Sequence, residues 1–265
     1  VPLTLARMPA DTEFAVIEIG MNHPGEISPL ARMARPHVAL VTTVAAVHLE
    51  AFANVEEIAH EKAAILDGLA QGGVAVMNAD IDTADVLAKK AADVGATLIG
   101  FGAGHGAARL DQVTLKGNAT IAKAHIDEVP VLFKVNSAGK HFAMNALGAL
   151  VSVQALEEDL AMAASDLGRW VPVTGRGARE TIQLDPVEVQ MTIELIDDSY
   201  NANPTSLGSA LDVLAAADVQ DGMGRLGKGR RIAVVGDMKE LGPHEAEMTR
   251  AMAAHTAMAQ IALAH

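Results

Sequence analysis

Hydrophobic positions in the first hundred residues form short, nearly continuous runs that alternate with stretches of helical spacing. The runs are rich in Val and Ile, which is typical of strands buried on both faces of a parallel sheet. We predict four such strands, at residues 14–19, 38–44, 74–77 and 97–101. Between them the spacing predicts helices at residues 27–34, 55–69 and 83–94. This alternation indicates an α/β fold with a parallel sheet covered by helices.

The pattern changes after residue 110. Three segments alternate polar and apolar residues between polar turns, at 112–115, 120–126 and 131–135. Such alternation is typical of antiparallel strands with one solvated face, so we predict a small antiparallel insertion. Helices follow at 142–156 and 160–167. Pro172, Gly175 and Gly177 then lie close together, and we place a boundary there between domains at 1–174 and 175–265.

The α/β rhythm restarts in the second domain. We predict strands at 189–196, 232–235 and 261–264, and helices at 204–217 and 243–258. Asn203 is a suitable N-cap for the first of these helices, with Pro204 at its first position. Three strands are few for a doubly wound domain, so we expect a truncated Rossmann-like α/β domain.

Composition narrows the possible functions. The chain carries 20 basic and 33 acidic residues, a net charge of −13, which disfavours nucleic acid and anionic membrane surfaces as partners. There is no cysteine, which excludes disulfides, thiolate zinc sites and a cysteine nucleophile and is compatible with the cytoplasm. The longest nearly apolar run, 143–156, is too short and too polar to span a bilayer. We see no signal peptide, and because the chain begins with Val1 we expect a piece of something longer.

Two side chains are candidates for a metal site, and a third is a candidate for a reactive lysine. Glu18 ends the first predicted strand, His48 follows the second, and ligands bind beyond the carboxyl ends of parallel strands. Glu18 could hold Mg²⁺, which prefers oxygen ligands. Lys62 lies on the next helix among acidic residues, where a desolvated lysine becomes reactive. A polar strand end, a loop histidine and a solvated helix face explain the same residues without any site, and residue spacing alone favours these explanations.

Two polar segments were weighed as ligand-binding loops. Residues 222–229 nearly match a phosphate-binding loop, but Gly229 replaces the required Ser or Thr and the loop precedes a strand, so we reject it. Residues 197–204 run from a strand end into a helix and hold six polar side chains in eight. Helix capping explains Asn203 but not the whole cluster, which could bind ribose hydroxyls or phosphate.

Taken together, the exact strings resemble the Mur ligase family. They are Glu-Ile-Gly-Met-Asn-His-Pro-Gly-Glu-Ile at 18–27, His-Leu-Glu at 48–50, Lys62, Asp-Ser-Tyr-Asn-Ala-Asn-Pro at 198–204 and Gly-Asp-Met-Lys-Glu-Leu-Gly at 236–242. The resemblance covers nearly the whole chain and is weakest across 100–135. It implies a central ATPase domain followed by a Rossmann-like domain. It also implies that the phosphate loop and the UDP-binding domain precede this chain, so we expect the chain alone to be inactive.

The resemblance implies an ATP-dependent ligase of bacterial peptidoglycan precursor synthesis in the cytoplasm. It is strongest to the member that adds D-alanyl-D-alanine to UDP-N-acetylmuramoyl-tripeptide through an acyl phosphate. By resemblance, Glu18 and His48 bind Mg²⁺, and Lys62 is a carbamylated lysine that orients a second Mg²⁺. The implied ATP contacts are Asn145, Arg176 and the ribose-binding Asp198. Tyr200, Asn201, Asn203 and His23 are expected on the substrate side.

Two alternatives remain open. One is another Mur-type ligase or a folylpolyglutamate synthetase-like enzyme, against which the 236–242 string argues. The other is a relative without a phosphate loop that acts as a binding or scaffold module. The presence of Glu18, His48 and Lys62 argues against the second alternative, because a module without catalysis needs no metal set.

Overall fold

A computed structural model describes residues 1–222 and 227–264. Its α-helices are α1 (Pro2–Arg7), α2 (Ile27–Ala34), α3 (Val55–Ala63), α4 (Ala84–Asp93), α5 (Lys140–Ala155), α6 (Leu160–Asp166), α7 (Pro204–Ala216) and α8 (Glu245–Met252). Its strands are β1 (Val38–Val41), β2 (Val74–Asn78), β3 (Thr97–Gly102), β4 (Ala108–Lys116), β5 (Ala119–Ile126), β6 (Val129–Val135), β7 (Ala178–Gln183), β8 (Thr192–Asp197), β9 (Ile232–Val234) and β10 (Ala262–Ala264). Short 3₁₀ turns follow α3 and α6 and flank α8, at Ala64–Gly68, Leu167–Arg169, Gly242–His244 and Thr256–Gln260. The fold class is α/β, as predicted.

Six strands form one sheet in the order β1-β2-β3-β4-β5-β6. β1, β2 and β3 are parallel, and β4 joins β3 in parallel over a short overlap. The next two connections have two residues each, at 117–118 and 127–128. Links this short join antiparallel strands, and positive φ angles at Asp127 and Glu128 indicate a type I′ turn. The predicted antiparallel insertion is therefore confirmed, as a continuation of the parallel sheet.

The chain divides into two compact units. Unit 1 comprises residues 1–112, 123–132 and 144–164, and unit 2 comprises 113–122, 133–143 and 165–265. The core of unit 1 lies between the parallel strands and α2, α3 and α4, and it includes Ile58 and Leu87, which are fully buried. Close packing is strictest at Gly68, where a Cβ atom would come within 2.0 Å of the Ala31 carbonyl oxygen. Only glycine allows this approach of α2 to the 3₁₀ turn.

Unit 2 holds two small sheets. β7 and β8 form an antiparallel pair in which Ala178 lies opposite Asp197, and β9 pairs in parallel with β10. A small core around Leu211 of α7 includes Ala233 of β9. The N-terminus of α7 has a capping box: Asn203 Oδ1 accepts from the Ser206 N–H, and the Ser206 hydroxyl accepts from the Asn203 N–H. The predicted cap and the Pro204 start are confirmed.

The strand predicted at 14–19 is wrong. The segment pairs with no strand among the described residues, and Phe14 and Val16 are 56% and 98% exposed. A Val- and Ile-rich run becomes a strand only when a neighbour supplies its hydrogen bonds, and the neighbouring edge of β1 is not used. The argument that Glu18 ends a strand beside that of His48 therefore fails.

Other predictions differ in extent. The helix predicted at 55–69 ends at Ala63 and continues as a 3₁₀ turn, and the one predicted at 243–258 is α8 with 3₁₀ turns on both sides. α1 and β7 were not predicted. The domain boundary after residue 174 stays a prediction. No helix in the described part of the chain is both long enough and apolar enough to cross a membrane.

Candidate functional site

The loop that precedes α2 is held by two carboxylates. Glu26 accepts the backbone N–H groups of Asn22 (2.7 Å) and His23 (3.3 Å), and these bonds lower its pKa. Glu61, on α3, accepts the N–H groups of Gly25 and Ile27, each at 2.8 Å. The His23 ring is exposed, with Nδ1 3.4 Å from Glu26 Oε1. The loop is thus fixed to α3 at the residue before Lys62.

Lys62 is half-buried on α3. Within the described part of the chain its side chain makes no hydrogen bond or ion pair, and burial lowers the pKa of its amine. The alternative explanation of Lys62 as part of a solvated helix face therefore does not fit its burial. A partly desolvated amine without a counterion is the chemically available form of lysine.

Glu18, His48 and Lys62 each directly precede a residue of one hydrophobic core. Ile19 and Leu49 pack against the core that contains Ala63. Glu18 itself is exposed on an extended segment, and His48 is half-buried with a φ of +55°. Among residues 1–222 and 227–264, no group of three His, Asp or Glu side chains could hold a metal ion. The metal role of Glu18, His48 and Lys62 stays a prediction.

Arg176 lies in a tightly bonded turn against the end of β8. The Gly175 N–H donates to the Asp197 carboxylate (3.0 Å), and the Gly177 N–H donates to the Asp197 carbonyl (2.8 Å). The Tyr200 N–H donates to the Gly175 carbonyl (3.0 Å). The Arg176 guanidinium lies 4.5 Å from the centre of the Tyr200 ring, within cation–π distance. Hydrogen bonds therefore hold the backbone on either side of Arg176, and the Tyr200 ring holds its exposed side chain.

Asp198 lines a narrow, open cleft next to this turn. The walls are mostly apolar, and His141 is the other titratable group that faces the cleft. Burial raises the pKa of Asp198 and the charge of Asp197 adds to that, while Arg176 acts in the opposite direction. Burial lowers the pKa of His141. The structure thus brings together Arg176 and Asp198, two of the three predicted ATP contacts.

The remaining candidates are placed less distinctively. Asn145 is exposed on α5. Asn201 is exposed, and its Oδ1 accepts from the Ala202 N–H. Asn203 uses its Oδ1 in the cap of α7, which accounts for that residue without a ligand. The substrate roles of Tyr200, Asn201, Asn203 and His23 stay predictions.

Two glycine-rich segments donate backbone N–H groups to carboxylates of the chain itself. The Asp80 carboxylate accepts the backbone N–H groups of Ala103, Gly104 and His105, so the turn after β3 already holds an anion of its own. In the rejected loop at 222–229, the Gly229 N–H donates to Asp221 (2.7 Å). Residues 223–226 of that loop lie outside the described residues.

Three residues were missed as contributors to the site: Glu61, Asp197 and His141. In the sequence Glu61 is one of several acidic neighbours of Lys62, and Asp197 is the first residue of the polar segment 197–204. Their bonds reach backbone groups 34–36 and 22 residues away in sequence. The sequence feature that could have indicated Glu61 and Asp197 is their position directly before the predicted site residues Lys62 and Asp198.

Comparison with known proteins decides the family. The family model described as "Mur ligase middle domain" matches residues 1–153, more than half of the chain. The chain belongs to the Mur ligase family. A second model, "Mur ligase, glutamate ligase domain", matches residues 184–264 of this Mur ligase chain.

Similar curated proteins carry one name, UDP-N-acetylmuramoyl-tripeptide–D-alanyl-D-alanine ligase. The Escherichia coli protein is 34% identical over 91% of the Mur ligase chain, and the Haemophilus influenzae protein is 32% identical over 94%. The chain spans about half the length of these relatives, 50% of each.

Solved structures have the same fold as this chain. MurF from Acinetobacter baumannii has a TM-score of 0.83 and 26% identity over 95% of the chain and 51% of that structure. MurF from Thermotoga maritima, solved in complex with ADP, has a TM-score of 0.71 and 24% identity, over 88% of this chain and 49% of that one. FPGS from L. casei shares the fold of the Mur ligase chain at a TM-score of 0.62 and 17% identity, over 90% of this chain and 52% of that one.

Proposed function

We propose that this chain is part of an enzyme that joins D-alanyl-D-alanine to UDP-N-acetylmuramoyl-tripeptide with ATP, in bacterial peptidoglycan precursor synthesis. The observation that carries the proposal is the fixed Arg176 beside the Asp198-lined cleft. It puts a preorganised cation next to a carboxylate that can accept ribose hydroxyls. The name shared by relatives that align over nine tenths of the chain supports the choice of substrates. We infer the cytoplasm as the compartment, because ATP and UDP-linked precursors are available there.

The reaction has two steps. A carboxylate oxygen of the tripeptide attacks the γ-phosphorus of ATP, the bond to the β-phosphate breaks, and an acyl phosphate and ADP form. The D-alanyl-D-alanine amine then attacks the acyl carbon, loses a proton and expels phosphate as the amide bond forms. The first step brings two anions together, so charge stabilisation and positioning dominate.

Within this scheme the described residues have distinct tasks. Arg176 offsets phosphate charge with a side chain that is already oriented, which lowers the reorganisation cost of the step. Asp198 accepts hydrogen bonds from the ribose. We assign Asn145 to the nucleotide, and Tyr200, Asn201 and His23 to the substrate side, on the family resemblance alone.

We further propose, on the family resemblance alone, that Glu18, His48 and Lys62 hold Mg²⁺. Glu18 and a carbamate on Lys62 would supply the oxygen ligands that Mg²⁺ prefers, and His48 would supply nitrogen. The lowered pKa of Lys62 increases the neutral fraction of its amine, which is the form that adds CO₂. Bound Mg²⁺ would neutralise phosphate charge during the attack.

The test measures phosphate release and product mass. The purified full-length enzyme that contains this chain is given Mg²⁺-ATP and UDP-N-acetylmuramoyl-tripeptide, with D-alanyl-D-alanine, D-glutamate, meso-diaminopimelate or L-glutamate as the amine. We expect release that requires both the tripeptide and D-alanyl-D-alanine, and a product heavier by the dipeptide minus water. Stimulation by another amine instead, or no release with any amine, would overturn the proposed function.

A matched pair of variants tests the residue that carries the proposal. R176A is expected to reduce the rate by about 100-fold or more, the scale of losing one preorganised charge contact in the transition state. R169A is the control, because Arg169 makes only an exposed i,i+3 ion pair with Asp166 (3.0 Å). Equal rates for the two variants would refute the role given to Arg176.

A further inference from the structure

Asp197 holds the backbone on both sides of Arg176. Its side-chain Oδ2 accepts from the Gly175 N–H (3.0 Å), and its main-chain oxygen accepts from the Gly177 N–H (2.8 Å). Both glycines have positive φ angles, +80° and +85°, which fold the turn around the arginine. Asp197 is the last residue of β8, so the turn is anchored to a sheet.

The other carboxylate oxygen of Asp197 holds the segment that carries Asp198 and Tyr200. Oδ1 accepts from the Ser199 N–H (3.1 Å) and from the Ser199 hydroxyl (2.6 Å). These bonds, with that from Gly175, lower the pKa of Asp197, so it stays ionised and acts as acceptor in all of them. One carboxylate therefore joins the two segments between which Arg176 lies.

Tyr200 fixes the Arg176 side chain itself. The guanidinium carbon is 4.5 Å from the ring centre, while the ring is 69% exposed. The backbone of Tyr200 is held by its bond to the Gly175 carbonyl (3.0 Å), so ring and guanidinium are attached to the same turn. A free arginine side chain samples many rotamers and loses that freedom on binding, whereas one resting on a ring has already lost part of it.

We propose that Asp197 and Tyr200 are positioning residues that hold Arg176 in the orientation in which it contacts the phosphates of a nucleoside polyphosphate. This proposal rests on the proposed function, which assigns Arg176 to the nucleotide. Neither residue needs to touch the nucleotide for this purpose. Both act through the arginine.

The experiment measures the ADP affinity of the purified full-length enzyme that contains this chain, by isothermal titration calorimetry. D197A removes three hydrogen bonds and is expected to weaken ADP binding by about 10-fold, as for a bond to a charged group. D197N keeps only one accepting oxygen where two are used, so an intermediate loss is expected. Y200L is expected to weaken binding by about 5-fold, and Y200F, which restores the ring, to recover most of that loss.

Asp185 provides a matched control for Asp197. It also accepts two backbone N–H groups, from Val187 (2.7 Å) and Glu188 (3.0 Å). It lies in the loop that joins β7 to β8, at the opposite end of the hairpin from Asp197. D185A is expected to leave ADP affinity unchanged within about 2-fold. A substitution at a distant site that shares no partner with Arg176 acts independently of it.

The double variant D197A/R176A decides between positioning and a general structural role. If Asp197 acts through Arg176, the double variant binds ADP as R176A does, because there is no arginine left to position. An additive loss in the double variant, or equal ADP affinity of Y200F and Y200L, would overturn the inference. If D197A fails to fold, the same cycle is run with D197N, and melting temperatures confirm that each variant is folded. If R176A itself binds ADP normally, the assignment of Arg176 under the proposed function is what fails.

Discussion

Removing the Glu61 carboxylate should release the loop before α2. Glu61 accepts two backbone N–H groups at 2.8 Å, from Gly25, which is exposed, and from Ile27, which is buried. Hydrogen bonds to charged groups contribute about 1.5–3 kcal/mol each, and water replaces part of the exposed one. We therefore expect E61A to lower the free energy of unfolding by about 2–4 kcal/mol, and E61Q, which keeps one accepting oxygen, by about half as much.

Two measurements check this. Thermal unfolding should show a decrease in melting temperature of about 5–15 °C for E61A, using about 2–4 °C per kcal/mol for a chain of this size. Because the chain has two compact units, a local probe is also needed. Amide hydrogen exchange should be faster at Gly25 and Ile27 in E61A.

Glu56, in the first turn of the same helix, is the control. E56Q removes a charge near the helix N-terminus and is expected to cost about 0.3–1 kcal/mol without changing exchange at Gly25. The reasoning would be refuted if E61A and E56Q melted together, or if the Gly25 and Ile27 amides kept their protection in E61A.

Three further predictions concern packing and pH. G68A should cost more than about 3 kcal/mol, because its Cβ would meet the Ala31 backbone at 2.0 Å, while G236A, with open space around it, should melt like the parent protein. G175A should cost about 2–4 kcal/mol in urea unfolding, since Gly175 has a φ of +80° and its Cβ would lie 2.9 Å from a tyrosine side chain. Burial lowers the pKa of His141, so below pH 6.5 the unfolded chain binds more protons than the folded one. The free energy of unfolding should therefore fall as pH drops through that range in urea titrations, and H141Q should lose this part of the dependence.

Local pattern predicted the parallel strands well, because β1, β2 and β3 are Val- and Ile-rich and are joined by amphipathic helices. The segment at 14–19 has the same composition and is not a strand, since strand formation depends on pairing with distant residues. β7 was missed for the opposite reason. Its sequence, Ala-Arg-Glu-Thr-Ile-Gln, is mostly polar because the hairpin with β8 is largely solvated, so it carries no run of apolar residues.

The sequence predicted those residues of the candidate site that belong to motifs of neighbouring residues. Arg176 and Asp198 were expected on the nucleotide side, and the structure places both at one turn. The residues that hold them in place were not predicted, because Asp197 and Glu61 bond to backbone amides. Every residue except proline has a backbone N–H, so the sequence does not show which one a carboxylate will bind. A carboxylate that positions a loop is indistinguishable by composition from a solvated one.

The two chromophores of this protein flank a single loop. The chain has one tryptophan and one tyrosine. The Trp170 ring centre lies 5.4 Å from that of Phe142, and Phe142 in turn lies beside Gly177, where an added Cβ would be 3.4 Å from the Phe142 ring. The Tyr200 ring lies against the guanidinium of Arg176. The near-ultraviolet absorption and intrinsic fluorescence of this chain therefore come almost entirely from residues around the 170–177 segment. An optical titration needs no added dye and no engineered label, and any spectral change can be attributed to that loop.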